Sequence, residues 1–347
     1  MNIPDKIGIV DTGSNTILGV VFRWDERRKS YRCFSLSDGL TVHAGLLRYV
    51  SDGKLSKEGL SVLSDSLKKI RAFFERMGVS EKLVYCFATA SLRGVKNFPE
   101  AKEQAAEEGF SMTLLSGEEE ARCDLAGMLQ ELSFLEQDQD SSIRFPEAGI
   151  AADMGGGSGQ ILCFSDRKKD CKNPEPDGFG SFPIGCLALK KRFVSASRTA
   201  DETADGTAPS DRELESVRAF VQHEIESIPM IASLDPKSEI PPAFFAMGGT
   251  VKAIVRLLEK TGKPVSSPDQ PGRTFFSVET LTQAIAFFRT PAGKALIETN
   301  EPGRKETLVI GAVSLLAIAR RIGAGEITVL QSGVREGFVV RHCNPAL

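Results

Sequence analysis

An apolar strand that runs into an aspartate and then a glycine- and serine-rich turn occurs twice in this chain. Ile7-Gly8-Ile9-Val10 leads into Asp11-Thr12-Gly13-Ser14-Asn15-Thr16, and a second apolar run, Ile17 to Phe22, follows. Gly149-Ile150-Ala151-Ala152 leads into Asp153-Met154-Gly155-Gly156-Gly157-Ser158, with Ile161 to Phe164 beyond. Each reads as strand, tight turn, strand. The two aspartates are 142 residues apart, about one domain length. A chain of 347 residues is too long for one ordinary domain. A single repeat at this period therefore predicts two similar domains, not a solenoid.

Between and after the turns the pattern is mixed α and β. Leu60, Leu63, Leu67, Ile70, Phe73 and Met77 recur at helical spacing, and Gly78 is a natural stop. Leu83 to Ala88 and Met112 to Leu115 read as strands. Ser116 followed three residues later by Glu119 has capping-box spacing and starts a helix to about Leu132. Polar Gln137 to Ser142 reads as a linker, which divides the chain into 1–132 and 143–347. In the second part, helices are expected over 211–228 and 308–322, with strands at 149–153, 160–164, 244–247 and 326–330. Asp166 to Gly178 and the small, polar stretch Ser195 to Asp211 are expected to be loops, the latter mobile.

Composition closes off several classes. Net charge is −3, which argues against a basic nucleic-acid binder. The longest uncharged apolar run, Thr307 to Ala319, has 13 residues, short of the about 20 a membrane span needs. The N-terminus carries no apolar signal core. Seven scattered cysteines form no CxxC pair, so reduced thiols in a cytoplasmic protein are expected. Three histidines, His43, His223 and His342, disfavour chemistry built on a histidine cluster.

The repeated turns carry the first chemical signal. A turn of glycine and serine leaves backbone N–H groups clear of side chains, and such nests bind anions, phosphate above all. Gly13, Ser14 and Asn15 in one turn and Gly155, Gly156, Gly157 and Ser158 in the other are the candidates. Gly248 and Gly249, where a strand opens into a helix, are a third. The adjacent Asp11 and Asp153 are the candidate Mg²⁺ ligands. A hairpin that needs glycine only for its backbone angles is the plainer reading of one turn, and the repetition weighs against it. Neither GxxxxGK[ST] nor GxGxxG is present. Glu118 and Glu119 are expected to serve the cap and helix dipole. Glu120 is one position past the capping box and points to another face, as a general base for water would, a further charge at the helix start being the plainer reading of the residue alone. Arg93, ending Ala88-Thr89-Ala90-Ser91-Leu92, suits bidentate phosphate contact, a solvated loop arginine being the plainer reading of this stretch alone.

Taken in order, these stretches resemble the exopolyphosphatase / guanosine pentaphosphate phosphohydrolase family of the actin–sugar kinase–chaperone superfamily. The matching stretches are VDTGSNT at 10–16, ATASLR at 88–93, LLSGEEEAR at 114–122 and DMGGGSG at 153–159. SFPIGCLALKKRF at 181–193, AMGGTVKAI at 246–254, PGRKETLVIGA at 302–312 and EITVLQSGVREG at 326–337 continue the order. The resemblance implies an α/β fold of two actin-like (ribonuclease H-like) domains. Each would hold a five-stranded mixed sheet, with the active site in the interdomain cleft and no HD domain. It implies Mg²⁺-dependent release of the terminal phosphate from polyphosphate or from the stringent-response nucleotide guanosine pentaphosphate. Glu120 would be the general base and Arg93 a phosphate ligand. Asp11 and Asp153 would lie by the metal, and the two glycine loops would cradle phosphate. It also implies a cytoplasmic enzyme, a possible homodimer, with no DNA or membrane partner. Lys190, Lys191, Arg192, Arg304 and Arg335 are the basic residues available to an anionic chain, a solvated surface being the plain alternative for each.

The chain departs from the family pattern. The second loop usually continues Gly-Gly-Gly-Ser-Thr-Glu and here reads Gly157-Ser158-Gly159-Gln160, lacking a hydroxyl and a carboxylate. The late Ser-Asp-Arg-Gly stretch is Leu330-Gln331-Ser332-Gly333. These changes open an alternative: a catalytically weak regulator that binds polyphosphate or guanosine penta- or tetraphosphate. A sugar or acid kinase on the same fold would need adenosine and sugar sites, for which no signal is present.

Overall fold

Two antiparallel hairpins organise the structure, and each begins at one of the repeated aspartate turns. The computed structural model describes residues 3–138, 144–167, 174–194, 209–263, 265–266 and 272–344. The strands of the first half are β1 (Lys6–Thr12), β2 (Ile17–Asp25), β3 (Ser30–Arg32), β4 (Gly39–Val42), the short ribbon β5 (Val50–Ser51) with β6 (Lys54–Leu55), β7 (Val84–Ala88) and β8 (Met112–Leu114). Those of the second are β9 (Gly149–Met154), β10 (Gly159–Phe164), β11 (Gly178–Phe182), β12 (Ala243–Met247), β13 (Thr274–Ser277) and β14 (Glu326–Val329).

The first main sheet runs β3-β2-β1-β7-β8, with β4 also on β2. The second runs β11-β10-β9-β12-β14-β13. In both, an antiparallel meander of three strands continues into two parallel strands. This shared order makes each half an actin-like α/β unit. Among the described residues each sheet holds six strands rather than the expected five, because β4 branches from β2 and β13 adds an antiparallel edge.

Strand alternation decides what covers each sheet. In the first, Val10, Ile17 and Val21 face Leu63, Leu67, Ile70 and Phe74 of the helix Lys57–Arg76. The opposite face buries Ile7, Ile9, Val20, Phe22 and Phe87 against Val334, Phe338 and Val339. In the second, Ile150, Ala152, Phe244 and Ala246 face the helices Asp211–Ile225, Gly249–Lys260 and Leu308–Arg321. Its opposite face, Ala151, Leu162, Phe164, Phe245 and Met247, packs on Leu125, Met128, Leu129 and Leu132.

The compact units are consequently Met1–Cys123 with Val334–Leu347, and Asp124–Gly333. This grouping differs from the division at 1–132 and 143–347. The helix Gly117–Asp138 runs on where a boundary was expected, because its apolar stripe belongs under the second sheet. The last helix returns to the first unit because both faces of that sheet are apolar and need cover. The linker read at 137–142 and the loop read at 195–211 fall largely outside the described residues, as do residues 168–173 and Cys171.

Two contacts secure these crossings. The Glu131 carboxylate accepts from the backbone N–H groups of Gln331 (2.9 Å) and Ser332 (2.6 Å). Gly337 lies on the backbone of Cys123, where an added Cβ would stand 2.8 Å from the Cys123 Cα and closer still to its carbonyl. Gly337→Ala is therefore expected to cost about 3 kcal/mol through overpacking against rigid backbone. A chemical-denaturation midpoint equal to that of the wild type would contradict this.

No helix among the described residues is long and apolar enough to cross a membrane. The six described cysteines are free, four of them buried. Burial pushes the Cys86 thiol up to about 12, which makes it unreactive.

Candidate active site

The first loop is closed by Gly13, whose N–H donates to the Thr16 carbonyl at 3.0 Å. Its outward carbonyls are tied back: Leu47 N–H donates to Ser14 O (3.1 Å) and Gly45 N–H to Asn15 O (2.8 Å). The second loop repeats the device. Gly155 N–H donates to Ser158 O (3.1 Å), and the first amides of the helical turn at 186 take the loop carbonyls. Cys186 N–H donates to Gly155 O, while Leu187 and Ala188 donate to Gly156 O. Gly185 lets that turn approach, since a Cβ there would be 2.5 Å from Gly156 O. Among the described residues, the amides of Gly156, Gly157 and Ser158 donate to no backbone carbonyl. A loop with its carbonyls bound from behind presents donors, which is the electrostatic requirement of an anion nest.

The three consecutive glutamates separate cleanly. Glu119 completes a capping box, its carboxylate accepting from Ser116 N–H (2.8 Å) while its own N–H donates to Ser116 Oγ (3.1 Å). Glu118 pairs with Arg122 one turn on. Glu120 turns inward, is only 6% exposed, and meets Arg93 Nη2 at 2.5 Å. The other terminal nitrogen of Arg93, Nη1, is buried and has no hydrogen-bond partner among the described residues. A buried guanidinium N–H without an acceptor is costly and marks a place for an anionic oxygen.

Asp11 and Asp153 occupy matching positions but differ in surroundings. Asp11 lies 3.4 Å from Arg335 Nη1. Asp153 is wedged between Gly248 and Gly333. A Cβ on Gly248 would strike its Oδ1, and one on Gly333 would come within 3.5 Å of Oδ2. Gly248 has φ +90 and ψ 169, open in practice to glycine alone. Gly249 begins the helix Gly249–Lys260, with the Arg304 guanidinium lying over it. Among the described residues no three histidine, cysteine or carboxylate side chains group as a metal site.

The family model described as the Ppx/GppA phosphatase family matches residues 36–345. The chain belongs to this family. A search of curated proteins finds no match. Among solved structures, a Ppx/GppA family member from Aquifex aeolicus is 18% identical with a TM-score of 0.67, covering 96% of both chains. An exopolyphosphatase from Cytophaga hutchinsonii is 16% identical with a TM-score of 0.72, again over 96% of both. An exopolyphosphatase-like protein is 18% identical with a TM-score of 0.70, over 97% of this chain and 98% of that one. These likenesses establish the fold, and the family establishes the coarse activity, that of a phosphohydrolase.

For a Ppx/GppA protein, the expected residues divide in an informative way. Arg93, Glu120, Asp11 and the first loop lie in the first unit; Asp153, the second loop, Gly248 and Gly249 lie in the second. Most of the flagged basic side chains are already engaged. Lys190 pairs with Glu306, Arg192 stacks 4.1 Å from the Phe220 ring centroid, Arg304 sits near Glu301 and Arg335 near Asp11. The residues that sequence reading missed act through backbone: Gly45 and Leu47 behind one loop, and Gly185 to Ala188 behind the other. None has a chemical signature of its own, because a backbone donor carries no side-chain signal.

Proposed function

We propose that this Ppx/GppA phosphatase hydrolyses the terminal phosphoanhydride bond of inorganic polyphosphate, with guanosine pentaphosphate as a second substrate. The observation that carries this reading is the partly buried Arg93–Glu120 pair, whose buried Arg93 Nη1 has no hydrogen-bond partner among the described residues. An arriving phosphate supplies the acceptor that Arg93 lacks. With the guanidinium drawn to phosphate oxygen, Glu120 would orient a water and take its proton. The water oxygen bonds to phosphorus as the bridging P–O bond breaks, giving orthophosphate and a shortened chain. Backbone amides of a glycine loop stabilise phosphate oxygens through fixed dipoles. The name of the Cytophaga relative, an exopolyphosphatase, supports polyphosphate as the first substrate to test.

Mg²⁺ fits the donor set. It binds through one or two carboxylates and takes its remaining ligands from water and substrate, which suits a single carboxylate held in a cradle of glycines. Asp153, held between Gly248 and Gly333, would hold it. When bound, it would neutralise charge on the transferring phosphoryl group.

The test is orthophosphate release from long polyphosphate and from guanosine pentaphosphate. Release is expected with Mg²⁺, abolished by EDTA and restored by excess Mg²⁺. No release from either substrate under any divalent metal would overturn the hydrolase reading. One observation favours the alternative, a binding regulator: position 160 is a buried neutral amide. Tight binding of polyphosphate without release would support it.

A further inference from the structure

Gln160 lies in β10, in register with Asp153 of β9, and is 2% exposed. Its side-chain Nε2 donates to Ser158 Oγ (2.9 Å) and to Ser181 Oγ (3.2 Å). The amide thus commits both of its hydrogens to hydroxyl oxygens. A hydroxyl whose oxygen accepts still has its own proton to give. Ser158 closes the second glycine loop, beside the amides of Gly156 and Gly157. The neighbouring Gly159 is roofed by Ile184, whose Cγ1 would stand 2.7 Å from a Cβ at that position. Hydrocarbon over this corner, together with burial of Gln160 itself, keeps water from competing for the amide.

We propose that Gln160 is a positioning residue that fixes the Ser158 hydroxyl as a hydrogen-bond donor, adding a neutral donor to the second loop for an ionised phosphate group. This rests on the reading that the loop binds phosphate. The repeat supplies an internal comparison. The residue 142 positions earlier is Leu18, which faces Asp11 across the first hairpin. Leucine has no amide, so the device belongs to the second loop. A carboxylate at 160 would invert it. It would accept from the Ser158 hydroxyl, turn that oxygen's lone pairs toward the ligand, and set a second negative charge opposite Asp153.

Two measurements test this on the full chain. The first needs no ligand. With glutamine side chains labelled with ¹⁵N, Ser158→Ala is expected to shift both Gln160 amide proton resonances and speed their exchange. Unmoved resonances would overturn the proposal. The second is tripolyphosphate binding by calorimetry across a double-mutant cycle. Gln160→Glu is expected to weaken binding about 10- to 100-fold, and clearly less in a Ser158→Ala background. Gln160→Met, neutral and of similar shape, should lose only a few-fold. An equal cost of Gln160→Glu with and without the Ser158 hydroxyl would assign the effect to charge or packing and overturn the positioning role. Failure of the wild type to bind tripolyphosphate would instead overturn the phosphate reading, and the amide resonances would still decide whether Gln160 holds Ser158.

Discussion

Glu120→Gln is expected to lower the rate of phosphate release by about 10²- to 10⁴-fold, the usual contribution of a positioned general base. The change is close to isosteric. Glutamine can still accept from Arg93 through its carbonyl oxygen, so the inward-facing geometry at the start of the helix Gly117–Asp138 should persist. What is lost is the ability to take a proton from water. The loss should therefore fall on kcat, with KM changing much less, because the loop amides and Arg93, the proposed phosphate contacts, remain. The two neighbouring glutamates provide the control. Glu118 pairs with Arg122 and Glu119 closes the cap, so Glu118→Gln should leave kcat within about twofold, as exposed pairs of this kind contribute little. A Glu120→Gln protein that turns over at the wild-type rate would remove Glu120 from the mechanism. Equal losses from both substitutions would point to the helix start, not to a base.

Gly248→Ala is expected to destabilise the second unit strongly. The backbone at φ +90 and ψ 169 is one that a Cβ opposes on conformational grounds, at about 1–3 kcal/mol. The same Cβ would lie 2.8 Å from Met154 O, 2.9 Å from Met154 N, and within the van der Waals radius of the Asp153 carboxylate. Two of these neighbours are backbone of the central strand β9 and cannot yield cheaply. Adding overpacking to conformational strain gives a loss of about 3–5 kcal/mol. Whatever fraction folds should have Asp153 displaced, so on the proposal that Asp153 holds Mg²⁺, phosphate release should fall further than the folded fraction does. Gly262→Ala separates the two contributions. Gly262 also has positive φ (+70), but an added Cβ meets nothing within 4 Å. That substitution should cost about 1–2 kcal/mol, the conformational share alone. Equal denaturation midpoints for the two variants would show that the Asp153 corner is looser than its geometry implies.

Much of the local structure was legible in the residues. The aspartate turns, the helix stop at Gly78 and the capping box at Ser116–Glu119 are each encoded within a few positions, by turn chemistry and by 2.0 or 3.6 periodicity. The helix Lys57–Arg76 and the strands β7, β9, β10 and β12 accordingly lie within a few residues of where the sequence reading puts them. The strands β3, β4, β11 and β13 were not legible. They are short strands, β4 and β11 only half-buried and β3 and β13 too brief to show a period, and their signal lies in the partner they pair with. The separation of Glu120 from Glu118 and Glu119 was legible as a difference of helical face. Its partner Arg93, 27 positions earlier in the chain, was legible only as a residue type suited to phosphate.

The sequence by itself determined that two related turns, a domain length apart, would each present a glycine loop beside an aspartate, since that follows from local turn chemistry and repetition. Only the tertiary structure decided which face each sheet exposes to which helix, and therefore where the units divide. Cover for a sheet is a matter of matching apolar areas, and Val334, Phe338 and Val339 satisfy that need from more than 200 positions away. It also decided that the two loops are not equivalent. Leu18 and Gln160 are equivalent by position in the repeat, but the hydroxyls within reach of the Gln160 amide come from Ser158 and from Ser181 on β11, a contact set by sheet order and not by sequence spacing.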